Sequence, residues 1–280
     1  MPVPAWTSLP SVPLACCKLD AGGYGGVPLD PRHALHDEPL VSLSECGLAG
    51  ENHYARTDGG NAPYRQPIAG HIEGLWARRS VAEKLVRVNR GLRDWGFRLF
   101  LWDAYRPVAC QRGLWAFWWE TVRREDPEAD DAAVRARVLE FVSDPSQFDP
   151  DDPATVPTHA TGAAIDLSLQ HLDGGALADM GAGFDEMSPR AASDYYERAL
   201  ASGEIAADDP RVLHRRLLHA AMRAEGFVNY PPEFWHFDWG NQMYVRNLAA
   251  AGGDAPRAAW YGYIRPPRGD GGAKPETGNE

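Results

Sequence analysis

Residues 157–169 read PTHATGAAIDLSL, and the parsing of this stretch decides the rest of the chain. Its second half, AAIDLSL, carries branched apolar residues and gives way to the turn residues LDGG, which is the pattern of a strand. Its first half sets His159 and Gly162 in a loop, with Asp166 seven residues after the histidine. Taken singly, His159 reads as a loop histidine with a hydrogen bond, and Asp166 as a turn carboxylate.

Two other segments combine rare residue types with strand or turn context. PPEFWHFDW, residues 231–239, places Glu233 and His236 three apart with Asp238 just beyond. Its alternation of aromatic and polar residues is also what any half-buried strand shows. LWDAYRP, residues 101–107, ends a hydrophobic strand on Asp103, Arg106 and Pro107, a pair that reads equally as a surface ion pair. FRLFLWDAY is apolar enough to be buried on both faces. Helical spacing covers SVAEKLVRVNRGLRDW, opened by Ser80 with Glu83 three residues on. Further helices are expected over residues 108–125, over 131–142 behind acidic Asp130–Asp131, and over RRLLHAAMRAEGF up to Gly226. FVNY and EFWHFDW read as short strands joined at Pro231–Pro232. Helices and short strands mix without a strict βαβ rhythm, so the fold class is α+β.

Residues 1–50, rich in Pro and Gly, read as an extended arm, residues 51–264 as the folded domain, and 265–280 as a disordered tail. The 280 residues carry 28 Lys and Arg against 39 Asp and Glu, a net charge of −11, with pI ≈ 5.3. That balance argues against a nucleic-acid partner, and no apolar run approaches the ~18 residues of a membrane helix. The N-terminus lacks the basic start of a secretory signal, and the four cysteines form no CxxC motif, which favours a cytoplasmic chain with free thiols. The pairs His33/His36 and His214/His219 have no accompanying carboxylate pattern. His53 and His71 have no assigned task, and Trp115, Trp118 and Trp119 have the spacing of core packing.

Together the three segments support a sharper reading. Two imidazoles and a carboxylate (His159, His236 and Asp166) are the ligand set of a catalytic zinc site with an open position. A carboxylate off the metal, Glu233, would manage the water proton, and Arg106 would face the developing oxyanion. In an extended strand, residues three apart point to opposite faces. A turn or bulge must therefore bring Glu233 and His236 together, and Pro231–Pro232 makes one plausible.

At these residues the chain resembles the zinc-dependent D-alanyl-D-alanine dipeptidases. The family pattern S-x-H-x-x-G-x-A-x-D, then E-x-W-H, with an upstream D-x-Y-R-P, stands here as PTHATGAAID, EFWH and DAYRP. ENHYARTDGGN and ADMGAGFDEMSPR resemble the dipeptidase branch in particular, so the likeness runs over roughly residues 51–240. The resemblance implies a small antiparallel sheet carrying one zinc ion, flanked by helices. It implies zinc ligands His159, Asp166 and His236, a catalytic acid–base Glu233 and a transition-state arginine, Arg106. It places Tyr54 and Asp185 at the substrate's free ammonium, a charge-assisted partner for a small peptide substrate. Asp103 would orient Arg106, and Asp238 would support a zinc ligand. Two readings compete with D-Ala-D-Ala hydrolysis: a D,D-carboxypeptidase acting on longer peptidoglycan peptides, and a zinc-binding module without catalysis. The chain departs from the family at Pro157, where the pattern has serine, and in the acidic stretch of residues 144–157, which could form a rim over the site.

Overall fold

The computed structural model describes residues 5–14 and 23–267. Cys16, Cys17 and the tail beyond residue 267 lie outside that range.

Strand β1 (Leu40–Ser42) is followed by β2 (Ala49–Gly50), β3 (Trp76–Arg78), helix α1 (Arg79–Arg93) and β4 (Phe97–Asp103). Then come α2 (Val108–Glu125), α3 (Asp131–Val138), β5 (Ala164–His171), α4 (Tyr195–Ala201) and α5 (Pro210–Ala224). The last elements are β6 (Val228–Asn229), β7 (His236–Asp238) and α6 (Gln242–Ala250). Five strands form one sheet in the order β2-β4-β5-β7-β6, and β1 pairs with β3 in a two-stranded sheet. This is an α+β fold. Within the main sheet every pair is antiparallel except β2 with β4, which is parallel, so the sheet is mixed at one edge.

Helix α1 buries Val81, Ala82, Leu85, Val88 and Leu92, the spacing its sequence announced. Its N-terminus is capped differently from the expected Ser80/Glu83 box. No side chain of its own caps it; Glu38 reaches in from the N-terminal region and accepts from the Ser80 amide (3.1 Å) and hydroxyl (2.6 Å). A carboxylate there also complements the helix dipole. Strand β4 alternates rather than burying both faces: Phe97, Leu99, Leu101 and Asp103 point inward, while Arg98, Phe100 and Trp102 are half-buried. Helix α3 starts as expected, with the Asp130 side chain accepting from the Ala133 amide, but stops at Val138 instead of 142.

The main core lies between this sheet and helices α1 and α5, where Leu85, Leu92, Leu99, Ile165, Leu167, Leu217 and Met222 meet. A second cluster joins α2 to α3 through Leu114, Trp118, Val122, Val134 and Val138 and includes Tyr54 and Tyr64. Trp118 stacks on Phe141 at 4.2 Å, so the tryptophan reading as packing holds there. The expected arm over residues 1–50 is corrected by its second half. β1 and β2 join the two sheets, and Leu43 and Leu48 enter the main core, because apolar residues spaced among turns were enough to bury.

Candidate active site

Register builds the floor of the site. The ladder pairs Asp103 on β4 with Asp166 on β5, and Asp166 with His236 on β7. Directly paired residues share a face with Cβ atoms about 4.5–5.5 Å apart, so three chemically active side chains stand in one row. All three are buried.

His159 comes from the 3-10 turn Thr158–Thr161 that feeds β5. Gly162 closes that turn at φ +71°, and a Cβ there would come within 2.5 Å of Leu40 Cδ2, which accounts for the glycine in HATG. The turn delivers His159 Nε2 to 3.4 Å from one Asp166 oxygen, while His236 Nδ1 lies 3.0 Å from the other. One ligand atom from each of His159, Asp166 and His236 lies within 4.8 Å of the others.

The remaining ring nitrogens show that this set fits a divalent metal. His159 Nδ1 is 2.8 Å from the Ala104 carbonyl, and His236 Nε2 is 3.0 Å from Asp238 Oδ2. Each ring thus has an acceptor for its N–H on the side away from Asp166, which directs the other nitrogen's lone pair toward the shared point. Burial pushes His159 down to about 3, the neutral form a ligand needs. Burial works against a charged His236 too, but Asp238 and Asp166 on its two sides hold it well above the usual imidazole range, so a metal ion would bind there by displacing the Nδ1 proton. Asp238 is itself fully buried and pinned, accepting from Thr158 Oγ1 (3.0 Å) and Asn241 Nδ2 (2.6 Å). Two neutral-capable imidazoles and a carboxylate are a hard–borderline donor set that suits zinc.

Glu233 reaches the same point because the chain turns there. The Glu233 amide donates to the Tyr230 carbonyl (3.0 Å), and the His236 amide donates to the Glu233 carbonyl (3.2 Å). The turn after Pro231–Pro232 therefore resolves the opposite-face problem, with Glu233 Oε2 3.9 Å from His236 Nδ1. Burial, with Asp166 and Asp185 nearby, pushes the Glu233 carboxyl up to about 7 against the opposing pull of His236. A divalent cation beside it would draw that value back down.

Arg106 crosses the site from the β4–α2 junction. Its Nε donates to Asp103 (2.7 Å), Nη1 to Gln111 Oε1 (3.0 Å), and Nη2 to the Tyr54 hydroxyl (3.1 Å) and Asp166 (3.4 Å). Asp103 thus lies against the guanidinium it is expected to orient. It also approaches His159 Nδ1 at 3.3 Å, and burial raises its own carboxyl to about 7.

Tyr54 links the two ends of the site. Its hydroxyl donates to Asp185 Oδ2 at 2.9 Å, and the Tyr64 hydroxyl donates to the same oxygen at 2.9 Å. Asp185 is 8% exposed, sits at φ +56°, and has its carboxyl raised by burial. Tyr54, Tyr64, Arg106, His159, Asp166, Asp185, Glu233 and His236 line one cleft of about 160 Å³, below the ~300–1,000 Å³ of drug-sized pockets, so the room is that of a small substrate.

Of the expected site residues, Tyr54, Arg106, His159, Asp166, Asp185, Glu233 and His236 line this cleft, and Asp103 and Asp238 touch Arg106 and His236 from behind it. The acidic stretch is not its rim. Apart from Pro157, the wall there is Leu139 to Ser143, the end of the expected third helix, whose early stop lets these residues turn over the cleft. Sequence reasoning missed four supporting residues. Gln111 holds Arg106 and lies one turn into the helix that DAYRP opens, a spacing that could have found it. Tyr64, Asn229 and Asn241 carried no pattern. Asn229 Nδ2 staples the Glu233 turn by donating to the carbonyls of Glu233 (3.0 Å) and His236 (2.9 Å).

One metal-binding triad with a carboxylate and a guanidinium beside it is a constellation suited to mononuclear metal-assisted hydrolysis. The sequence model of the D-ala-D-ala dipeptidase family (Peptidase_M15) matches residues 48–251, and the chain belongs to that family. Among its relatives, the D-alanyl-D-alanine dipeptidase of Streptomyces coelicolor is 35% identical over 173 residues, 59% of this chain and 76% of that one. The Synechocystis enzyme of the same name is 28% identical over 199 residues, covering 67% and 78%. Among solved structures, VanYB in complex with D-alanine-D-alanine aligns over 81% of this chain and 91% of its own, at 14% identity and TM-score 0.36.

Proposed function

We propose that the chain hydrolyses free D-alanyl-D-alanine to two molecules of D-alanine, with one zinc ion held by His159, Asp166 and His236. The observation that carries this is the pairing of two ends in one small cleft. The metal triad with Glu233 and Arg106 lies at one end, and the buried carboxylate of Asp185 at the other.

Bound zinc supplies a Lewis acid that polarises the scissile carbonyl and acidifies the attacking water. Glu233 accepts the proton from that water and delivers it to the departing amine. Arg106, held by Asp103 and Gln111, offers its Nη groups to the oxyanion of the tetrahedral intermediate. Asp185, with Tyr54 and Tyr64 bracketing it, receives the substrate ammonium and so registers a dipeptide rather than a longer chain. Asp238 and the Ala104 carbonyl hold the two imidazoles in the tautomers that ligation needs. D-Ala-D-Ala hydrolysis places the chain in cell-wall precursor or peptidoglycan turnover. A cytoplasmic setting agrees with the free thiols of Cys46 and Cys110.

The test is D-alanine release from D-Ala-D-Ala, with and without a chelator, beside Glu233→Gln and a longer stem peptide. Chelator-sensitive cleavage of the dipeptide alone, restored by zinc and lost in the variant, supports the proposal. Cleavage of the stem peptide instead would move the substrate to that of a D,D-carboxypeptidase. Zinc bound at one per chain with neither peptide cleaved would leave a binding module.

A further inference from the structure

A free dipeptide carries a negative charge at its C-terminus as well as a positive one at its N-terminus, and Asp185 answers only the second. With the ammonium at Asp185 and the scissile carbonyl at the metal, the carboxylate of the departing D-alanine falls past the metal, on the side away from Asp185. Few donors in the cleft are free to meet it, because most of its polar groups are already committed to one another.

The Tyr54 and Tyr64 hydroxyls donate to Asp185, and Thr158 Oγ1 donates to Asp238. Arg106 is shared among Asp103, Gln111, Tyr54 and Asp166, and Gln111 Nε2 donates to the Ser143 carbonyl at 3.0 Å. Pro157 offers neither a hydroxyl nor an N–H. Of the hydroxyls lining the cleft, those of Ser143 and Tyr230 remain. Ser143 is exposed, on the wall that Gln111 tethers. Tyr230 stands against a metal ligand, its ring edge-on to His236 with centroids 5.6 Å apart.

The Tyr230 amide donates to the His236 carbonyl and its own carbonyl accepts from the Glu233 amide, both at 3.0 Å, so the phenol is what this residue has left to offer the cleft. Its hydroxyl has no hydrogen-bond partner among the described residues. It is not sealed in either, since Tyr230 is half-buried and its oxygen keeps contact with solvent. The carboxylates that act on it are Glu233 and Asp238, not Asp185, which sets it on the His236 side of the metal position. Burial, with those two carboxylates against the opposing Arg246, pushes the hydroxyl up to about 12, so it stays an O–H donor.

We propose that the Tyr230 hydroxyl donates a hydrogen bond to the C-terminal carboxylate of D-alanyl-D-alanine and so sets a preference for a free C-terminus. The proposal rests on the dipeptidase reading above and adds the group that meets the other end of the substrate. Tyr230 is a specificity residue, with no part in proton transfer. Its backbone belongs to the turn that places Glu233, so the carboxylate donor and the acid–base carboxylate are held in one register.

The test compares D-Ala-D-Ala with D-alanyl-D-alaninamide, whose C-terminus is neutral, on zinc-loaded wild type and Tyr230→Phe. The readout is kcat/KM from release of D-alanine, or the inhibition constant of the amide against D-Ala-D-Ala where its turnover is slow. Phenylalanine keeps the ring against His236, so zinc should remain at one per chain. Tyr230→Phe should lose about 10–100-fold in kcat/KM on the free dipeptide, mainly through KM, the worth of one hydrogen bond to a charged group. The amide should be handled as by wild type, and the preference for a free carboxylate should collapse. Equal losses on both substrates would place the hydroxyl at the oxyanion or the metal and overturn the proposal, as would an unchanged kcat/KM on D-Ala-D-Ala. Wild-type protein that leaves D-Ala-D-Ala intact would defeat the dipeptidase reading itself, and this proposal with it.

Discussion

Replacing Asn229 by alanine removes three hydrogen bonds that touch no substrate. They are the two donated by its amide to the carbonyls of Glu233 (3.0 Å) and His236 (2.9 Å), and one accepted from Ser193 Oγ (2.6 Å). At a net ~0.5–1.5 kcal/mol each, the sum is about 1.5–4.5 kcal/mol. The low half applies, because Asn229 is half-buried and the His236 carbonyl keeps the Tyr230 amide at 3.0 Å. About 2 kcal/mol is expected, which lowers the melting midpoint by roughly 4–8 °C in a chain of this size. The functional effect should be separable from this loss. The His236 ring remains held by Asp238, so zinc content should stay at one per chain. Glu233, its carbonyl left with the His236 amide alone (3.2 Å), should be misplaced by a fraction of an ångström, and kcat should fall about 10–100-fold. Asn229→Asp should be no better, since a carboxylate would face two carbonyl oxygens. The assay is kcat on D-Ala-D-Ala with zinc measured on the same sample, well below the variant's melting point. Full activity in a destabilised Asn229→Ala would refute the idea that this staple positions Glu233. Activity lost only in proportion to zinc would assign the staple to the metal instead.

Three further outcomes follow from the same geometry. Glu233→Gln should keep zinc and folding but lose about 10²–10⁴ in kcat, measured by D-alanine release; a variant within tenfold of wild type would remove Glu233 from proton transfer. Asp238→Asn weakens the acceptor for His236 Nε2–H and should cost about 10–100-fold in zinc affinity, read by competition with a chromophoric chelator, while unchanged affinity would show that His236 needs no such support. Asp185→Asn is tolerated at φ +56°, a conformation Asn adopts, so folding should survive. Its kcat/KM for free D-Ala-D-Ala should drop about 10–100-fold, and an amino-blocked dipeptide should be turned over no worse than by wild type.

What the sequence made legible, and what it hid, divides along the range of the interactions. The helices α1, α2 and α5 and the strands β4 and β5 were readable because their apolar spacing is local. The metal triad was readable because an aspartate is unusual inside an apolar strand such as AAIDLSL, and because the motifs came in a known order. Hidden were the features that depend on distant partners. Glu38 caps α1 from 42 positions away, a contact that no capping-box pattern could show. Strand β2 has two residues, too short for any alternation, and owes its place to the parallel edge that β4 offers. Asn229 and Tyr64 are ordinary residues until the fold brings the Glu233 turn and Asp185 against them. The same division explains how the family motif could survive a proline in place of serine at Pro157. The ligand geometry rests on the β4–β5–β7 register, on Gly162 and on the acceptors Ala104 and Asp238, and none of these passes through the side chain at position 157. What that serine would alter lies at the cleft wall that Pro157 and Thr158 share, where the substrate's fit, rather than the metal's, is decided.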